Sequence, residues 1–495
     1  MQVVKEMALG AWRASKEDRA SGNEWLKARL VLGALSTLQV MGLQEEYTEA
    51  RQWLEKKFHF EALNASLPVG EITSEAVGGL MSAYALSGGT REDRDFFLEK
   101  ALAITRAISP AYNTTSRMPF NAFNPAARLG VGRETSLATV GGQALEQMYL
   151  SDLTGERTLR SAVTQTGVRL KVLKEADEGD GFYHNVIDVE ADAVGAWSSA
   201  FASLGAQADD FYRALVGGFA LNSAVVTGER LKTYAEALEE LIGARAIRGN
   251  DTTGLGAVYE MYIPSKGFHN SRLMDYEVCY VGGLLALGAR EIQKMASRRD
   301  ISSLEGERAI FSVEMAARHR KLATQIAETC YQASTRTATK LGPENFKLDD
   351  FKTRASNSCD LRYFFAEKTI LNFDFLFSPE LAETHFLLWR LTGDVKYRER
   401  AWEMAQAIRQ YARTPNGGFS SVSNVDDAST KDGKNEYTGT LPHFLSATFK
   451  YLYLTFAPID VLPLDKWVFN AVGHPLPVCG QHSDAVYPTV KCRNE

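Results

Sequence analysis

The chain has 495 residues, 45% of them hydrophobic and 23% charged, with a net charge of −6, the balance of a globular chain rather than a disordered one. Charges of both signs are mixed without a long basic block, which argues against a nucleic-acid partner. No run approaches about eighteen apolar residues, which argues against a transmembrane helix.

The first stretch, MQVVKEMALGAWRASKEDRA, is amphipathic and charged and lacks the uninterrupted apolar core of a signal peptide. The chain is then either cytoplasmic or has lost a leader ahead of Met1. Residues 24–57 read as two helices broken at Met41-Gly42-Leu43, and residues 75–108 as two more joined at Leu86-Ser87-Gly88-Gly89. Apolar positions recur there at helical spacing, and glycine supplies the cap that ends the first helix. Comparable joints stand at 153–156 (LTGE), 226–229 (VTGE) and 391–394 (LTGD). Each predicts a helix capped by glycine and a second helix started by the acid near its positive end. The pattern is a degenerate repeat of helical hairpins.

Irregular stretches at 109–136, 178–196, 246–272 and 341–380 are longer than a compact domain needs, and such loops usually line clefts. Residues 291–320 are strongly charged and predict a surface insertion with its own helix. Near the end, the aromatic helix LSATFKYLYLTF (445–456) runs to Ala457-Pro458. An apolar strand, Lys466–Asn470, and the turn Ala471-Val472-Gly473-His474-Pro475 follow. Stacked hairpins can form an open solenoid or a closed toroid. A strand and turn returning after so many helices read as a plug, which favours the closed form.

The cysteines are Cys279, Cys330, Cys359, Cys479 and Cys492; none forms a C-x-x-C pair, so a zinc site is unsupported. Asn64, Asn113 and Asn250 begin sequons that permit glycosylation in a secretory compartment.

Ordered blocks then carry a resemblance: VLGALSTLQVMGLQEEYTEARQWL (31–54), LEQMYLSDLTGE (145–156), SLGAQADDFY (203–212), MDYEVCYVGGLLALG (274–288), SPELAETHFLLWRLTGD (378–394) and the closing segment. Together they resemble the class I α-1,2-mannosidases, glycoside hydrolase family 47, over nearly the whole chain. The resemblance implies an all-α fold, an (αα)7 barrel or toroid of helical hairpins with a C-terminal β-hairpin plug. Residues 1–478 would form that single domain and 479–495 a C-terminal tail. It also implies a disulfide between Cys279 and Cys330, hence an oxidising compartment: the secretory pathway, with a leader removed.

Inverting glycoside hydrolysis needs a carboxylic acid to protonate the leaving oxygen and a carboxylate to activate water on the opposite side of the sugar. The resemblance places the acid at Glu71, seven residues before Gly78-Gly79, a second carboxylate at Asp209 and the base at Glu380, with Glu383 one helical turn on. Each has a plain structural reading. Ser378-Pro379-Glu380, for instance, is ordinary helix-initiation chemistry. Their order within matching blocks favours a shared site.

Departures from the family pattern fall in the same site. A family Arg is Glu75 here, a Glu is Thr139, an Arg is Gln207, a His is Tyr276 and another Arg is Ser378. The acids of the first block are Gly33 and Ser36, and a late Glu is Ala447. The family's calcium-binding Thr and the Glu after it are Ala471 and Val472. Calcium wants many hard oxygen ligands. No cofactor is therefore expected, and Glu75, Gln207, Tyr276 and Glu383 are left as substrate-contacting positions. Three functions fit: a divergent, calcium-independent glycosidase acting on α-1,2-linked mannose or a related glycoside, the same barrel converting an apolar small molecule by acid catalysis, or a non-catalytic glycan-binding protein. The partner is accordingly an oligosaccharide or a small molecule.

Overall fold

The computed structural model describes residues 1–20, 23–176, 182–205, 207–223, 228–263, 269–271, 273–297, 311–348, 370–372, 375, 379–429 and 442–492. Two kinds of helix alternate along the chain. Glu24–Val40 buries an unbroken run from Leu30 to Leu38, apolar on every side, and so must sit inside other helices. Gln44–Lys56 buries only Tyr47, Ala50 and Leu54, a single stripe at helical spacing, and so lies outside. The inner helices are Glu24–Val40, 69–86, 137–154, Asp209–Leu221, Tyr280–Ser297, Glu380–Thr392 and 444–456. Each packs on the next, and the last packs on the first. The outer helices are Gln2–Ala20, Gln44–Lys56, 91–107, Arg157–Ala176, Glu229–Gly243, Val313–Thr335 and Lys396–Tyr411. The ring is therefore the closed (αα)7 toroid, not the open solenoid.

The joints behave mostly as their sequence predicts. Gly155 and Gly393 stand at φ +75° and +69°, where a side chain would be strained, and cap the helices before them. Gly228 corrects the pattern. It has φ −52° and stands at the start of Glu229–Gly243 instead of ending a helix, while Val226 and Thr227 lie outside the described residues. The charged 291–320 stretch is not a free-standing insertion at its ends. Residues up to 297 continue an inner helix and those from 313 begin an outer one, with 298–310 outside the described residues.

The long loops fold into short antiparallel strands that feed the inner helices. Leu67–Pro68, paired with Ala122–Asn124, leads into the 69–86 helix. Glu134–Ser136, paired with Val186–Asp188, leads into 137–154, and Leu273–Asp275, paired with Asn345–Lys347, leads into Tyr280–Ser297. These strands fix where the inner helices begin, and the helix starts in turn build the site. The closing hairpin pairs Trp467–Phe469 with Pro475–Pro477, Val468 opposite Leu476, and its tip enters the ring.

Cys279 and Cys330 are joined, tying the start of an inner helix to its outer partner. A second disulfide, Cys479–Cys492, was not foreseen. The residues between them are packed rather than loose: Tyr487 is fully buried and donates to Asp152 at 2.7 Å, and Tyr149 donates to the Val486 carbonyl at 2.7 Å. Cys359 lies outside the described residues.

Candidate active site

Inner-helix starts and the hairpin tip enclose a cavity of about 390 Å³. Glu71, Glu75, Thr139, Asp209, Tyr276, Glu380, Ala471 and Val472 all line it. Positions spread over some four hundred residues of sequence thus line one cavity. Gln207 and Glu383 stand outside it. Gln207 is exposed and contributes its backbone carbonyl to the Ala138 N–H, while Glu383 is buried behind the wall. Ser378 lies outside the described residues. The wall also holds Asp210, Glu277, Glu344, Phe375 and His443, none of which the sequence had singled out as a site residue.

Glu71 closes the helical segment Val69–Glu71, and a π turn over Ile72–Val77 follows, a distortion often found at functional sites. Its carboxyl is raised above the ordinary glutamate value. Burial is the main cause, Arg29 opposes it, and the charge on Glu75 adds to it. Trp25 Nε1 stands 3.4 Å from Glu71 Oε2. Glu75 is held by a two-pronged ion pair: Arg29 Nε to Oε2 at 2.5 Å and a terminal Arg29 nitrogen to Oε1 at 2.7 Å. The carboxylate at position 75 is thus balanced by a guanidinium from the neighbouring inner helix. An arginine within the apolar run of 24–40 was the available signal, since a buried charge needs a partner.

Asp209 and Asp210 open the helix Asp209–Leu221. Loss of solvation, then the neighbouring Asp210, drives the Asp209 carboxyl well above its usual range. Loss of solvation raises Asp210 to about 6, against the pull of Arg213. Two adjacent carboxyls in one cavity already crowded with acids cannot both ionise cheaply. Arg213, one turn further, is buried, pairs with Glu383, stands 3.6 Å from Asp209 Oδ2 and lies over the Tyr280 ring at 3.9 Å. Glu380 is the first residue of Glu380–Thr392, after Pro379, where the helix dipole favours a negative charge. Tyr276 is fixed by a 2.6 Å hydrogen bond between its hydroxyl and Ser334.

At the hairpin tip Ala471 and Val472 face the cavity with aliphatic side chains. Behind them Lys450 is completely buried and donates to the Gly473 carbonyl at 2.6 Å and to Ser36 Oγ at 2.7 Å. Ser36 in turn contacts His474 Nδ1 at 3.1 Å. Ala447 is buried and packs against the same turn.

A closed toroid of helical hairpins, with carboxyl groups gathered at the inner-helix starts, has the layout of an enzyme that works on sugars by acid–base chemistry, and similarity to known proteins narrows that class to the glycosidases. Residues 14–478 match Glycosyl hydrolase family 47, and the chain belongs to that family. It is 34% identical to human mannosyl-oligosaccharide 1,2-alpha-mannosidase IB, over 96% of this chain and 69% of that protein. It is 30% identical to the human endoplasmic reticulum mannosyl-oligosaccharide 1,2-alpha-mannosidase, over 92% of this chain and 60% of that one. Among solved structures, the alpha-1,2-mannosidase from Trichoderma reesei superposes with a TM-score of 0.75 at 20% identity, covering 90% of each chain, a likeness of fold.

Proposed function

We propose that this chain hydrolyses a terminal α-1,2-linked mannose, or a closely related glycoside, with inversion at the anomeric carbon. Glu71 gives its proton to the leaving oxygen while Glu380 takes a proton from the water that attacks the opposite face. Proton exchange with solvent then resets both groups. Asp209, biased toward its protonated form, offers a hydrogen-bond donor to a sugar hydroxyl, and Tyr276 and Glu75 shape the wall around it. The observation that carries this reading is the meeting of Glu71 and Glu380 on one cavity from different inner helices, with Glu71 held above its usual value by burial.

Calcium is not part of the reading. A hard dication takes about six to eight oxygens. Ala471 and Val472 supply none from their side chains, and the Gly473 carbonyl already accepts from Lys450. These residues do not fit calcium, and no step above passes through it. A secretory lumen suits the reading, because both disulfides need an oxidising compartment. No helix among the described residues is long and apolar enough to cross a membrane.

The test is release of mannose from an α-1,2-linked oligosaccharide. Release should be abolished by Glu71→Gln and by Glu380→Gln. Binding of the oligosaccharide without turnover of any mannoside, undisturbed by either substitution, would sink the proposal.

A further inference from the structure

Glu71 and Glu75 are one turn apart on the 69–86 helix and share a face, and Trp25 and Arg29 are one turn apart on Glu24–Val40 and share the opposing face. All four meet at one point. The guanidinium is a rigid fork that can close on one carboxylate with two parallel bonds. Here that two-pronged edge closes on Glu75, at 2.5 and 2.7 Å. Glu71 receives only the remaining nitrogen, 3.4 Å away, and Trp25 Nε1 at the same distance. The nearer carboxylate is thus the one the proposed chemistry does not use.

We propose that Arg29 is a positioning residue for Glu71, and that Glu75 is the counter-carboxylate that keeps the two-pronged edge of Arg29 off the acid. The inference rests on the reading of Glu71 as general acid. A carboxyl gripped by both prongs would be held ionised and could not deliver a proton. A carboxyl touched at long range by a single prong and an indole is oriented but stays free to carry its proton. The other titratable groups facing the pair are His443, whose Nε2, from the segment before the last inner helix, is 3.9 Å from Glu75 Oε1, and the acids of the shared cavity, Asp209, Asp210, Glu277, Glu344 and Glu380.

The decisive measurement is the pH profile of kcat/KM on an α-1,2-linked mannobiose. Activity requires protonated Glu71, so the basic limb reports its titration. Glu75→Gln removes a neighbouring negative charge and releases Arg29 toward Glu71. Both effects favour ionised Glu71, so the basic limb should move down by about one pH unit or more. In the double variant Arg29→Gln, Glu75→Gln the guanidinium is gone too, and the limb should return to or pass above its original position. A role in packing alone would lower the rate at every pH without moving the limb, and that result in Glu75→Gln would overturn the inference. Should the unmodified protein leave mannobiose untouched, the reading of the reaction fails by itself. The inference is then decided by carboxyl-13C glutamate spectra, with Glu71→Gln assigning the signal: a Glu71 titration that stays put in Glu75→Gln overturns it.

Discussion

Asn470, at the tip of the closing hairpin, donates its side-chain amide to Glu146 Oε1 at 2.7 Å, deep inside the ring. The same nitrogen reaches the Ser74 carbonyl at 2.8 Å, so one side chain pins the plug to two inner helices. Glu146 Oε2 is buried without a hydrogen-bond partner, and burial pushes the carboxyl up to about 7, against the opposing bond from Asn470.

Protonated Glu146 is therefore the form the fold prefers. A folded-state value above the unfolded one means that its stabilising contribution is complete below about pH 4.5 and is lost as pH rises through about 7. The loss amounts to about 3 kcal/mol. Glu146→Gln keeps an acceptor for Asn470 and cannot ionise. It should unfold at higher urea than the parent at pH 8, with the advantage shrinking toward pH 4. A stability difference that does not change between these conditions would contradict the assignment.

Lys450 tests the same floor from the other sign. Burial holds its ammonium well below the usual lysine value, and its hydrogen-bond partners among the described residues are a hydroxyl and a carbonyl. The folded state then binds fewer protons than the unfolded one, so stability rises with pH from the lowered folded value up to about 10.4. The gain is at most about 1.4 kcal/mol per pH unit. Lys450→Met should flatten this rise, read from urea midpoints across pH 6 to 10, while losing a hydrogen bond to Gly473. An unchanged slope would show that the amine is charged in the fold.

Much of the ring was legible in the sequence, because burial writes itself into composition. An inner helix such as 24–40 is apolar all round, and an outer helix such as 44–56 shows one stripe. Thr-Gly-acid marked two joints correctly but is ambiguous, since glycine can end one helix or precede the next, as at Gly228. Glu71, Asp209 and Glu380 were named through the family resemblance, and the structure sets all three on one cavity, at the starts of inner helices. The site was not legible where ring closure alone creates the contact. Arg29 meets Glu75 across 46 residues, and His443 approaches Glu75 from just ahead of the last inner helix. Glu383 was read as a wall residue, yet Arg213 draws it behind the wall.

Removal of calcium should leave the protein unaffected. A strong chelator is expected to change neither the thermal midpoint nor mannose release, because Ala471 and Val472 present no oxygen to the cavity from their side chains. Installing oxygens at the tip, with Ala471→Thr and Val472→Glu together, should create a calcium-dependent rise in the thermal midpoint that the parent lacks. A parent protein that loses turnover in chelator and regains it with calcium would refute the proposed independence.

Arg213 is a buried cation shared by several groups behind the wall. Its side chain is 7% exposed, it pairs with Glu383 and Asp209, and it stacks on Tyr280. Arg213→Met fills the space but leaves Glu383 without its counter-charge, with Asp209 beside it, which should cost about 3 to 5 kcal/mol near neutral pH. The acids can escape by taking up protons, so the loss should be smaller at pH 5 than at pH 8. Adding Glu383→Gln removes one stranded charge and should recover part of the loss, giving a coupling energy of more than about 1 kcal/mol in a double-mutant cycle. Arg213→Lys keeps a charge but not the planar fork, so it should fall between the parent and Arg213→Met. If the two substitutions were simply additive, the Arg213–Glu383 pair would not be what holds this side of the ring.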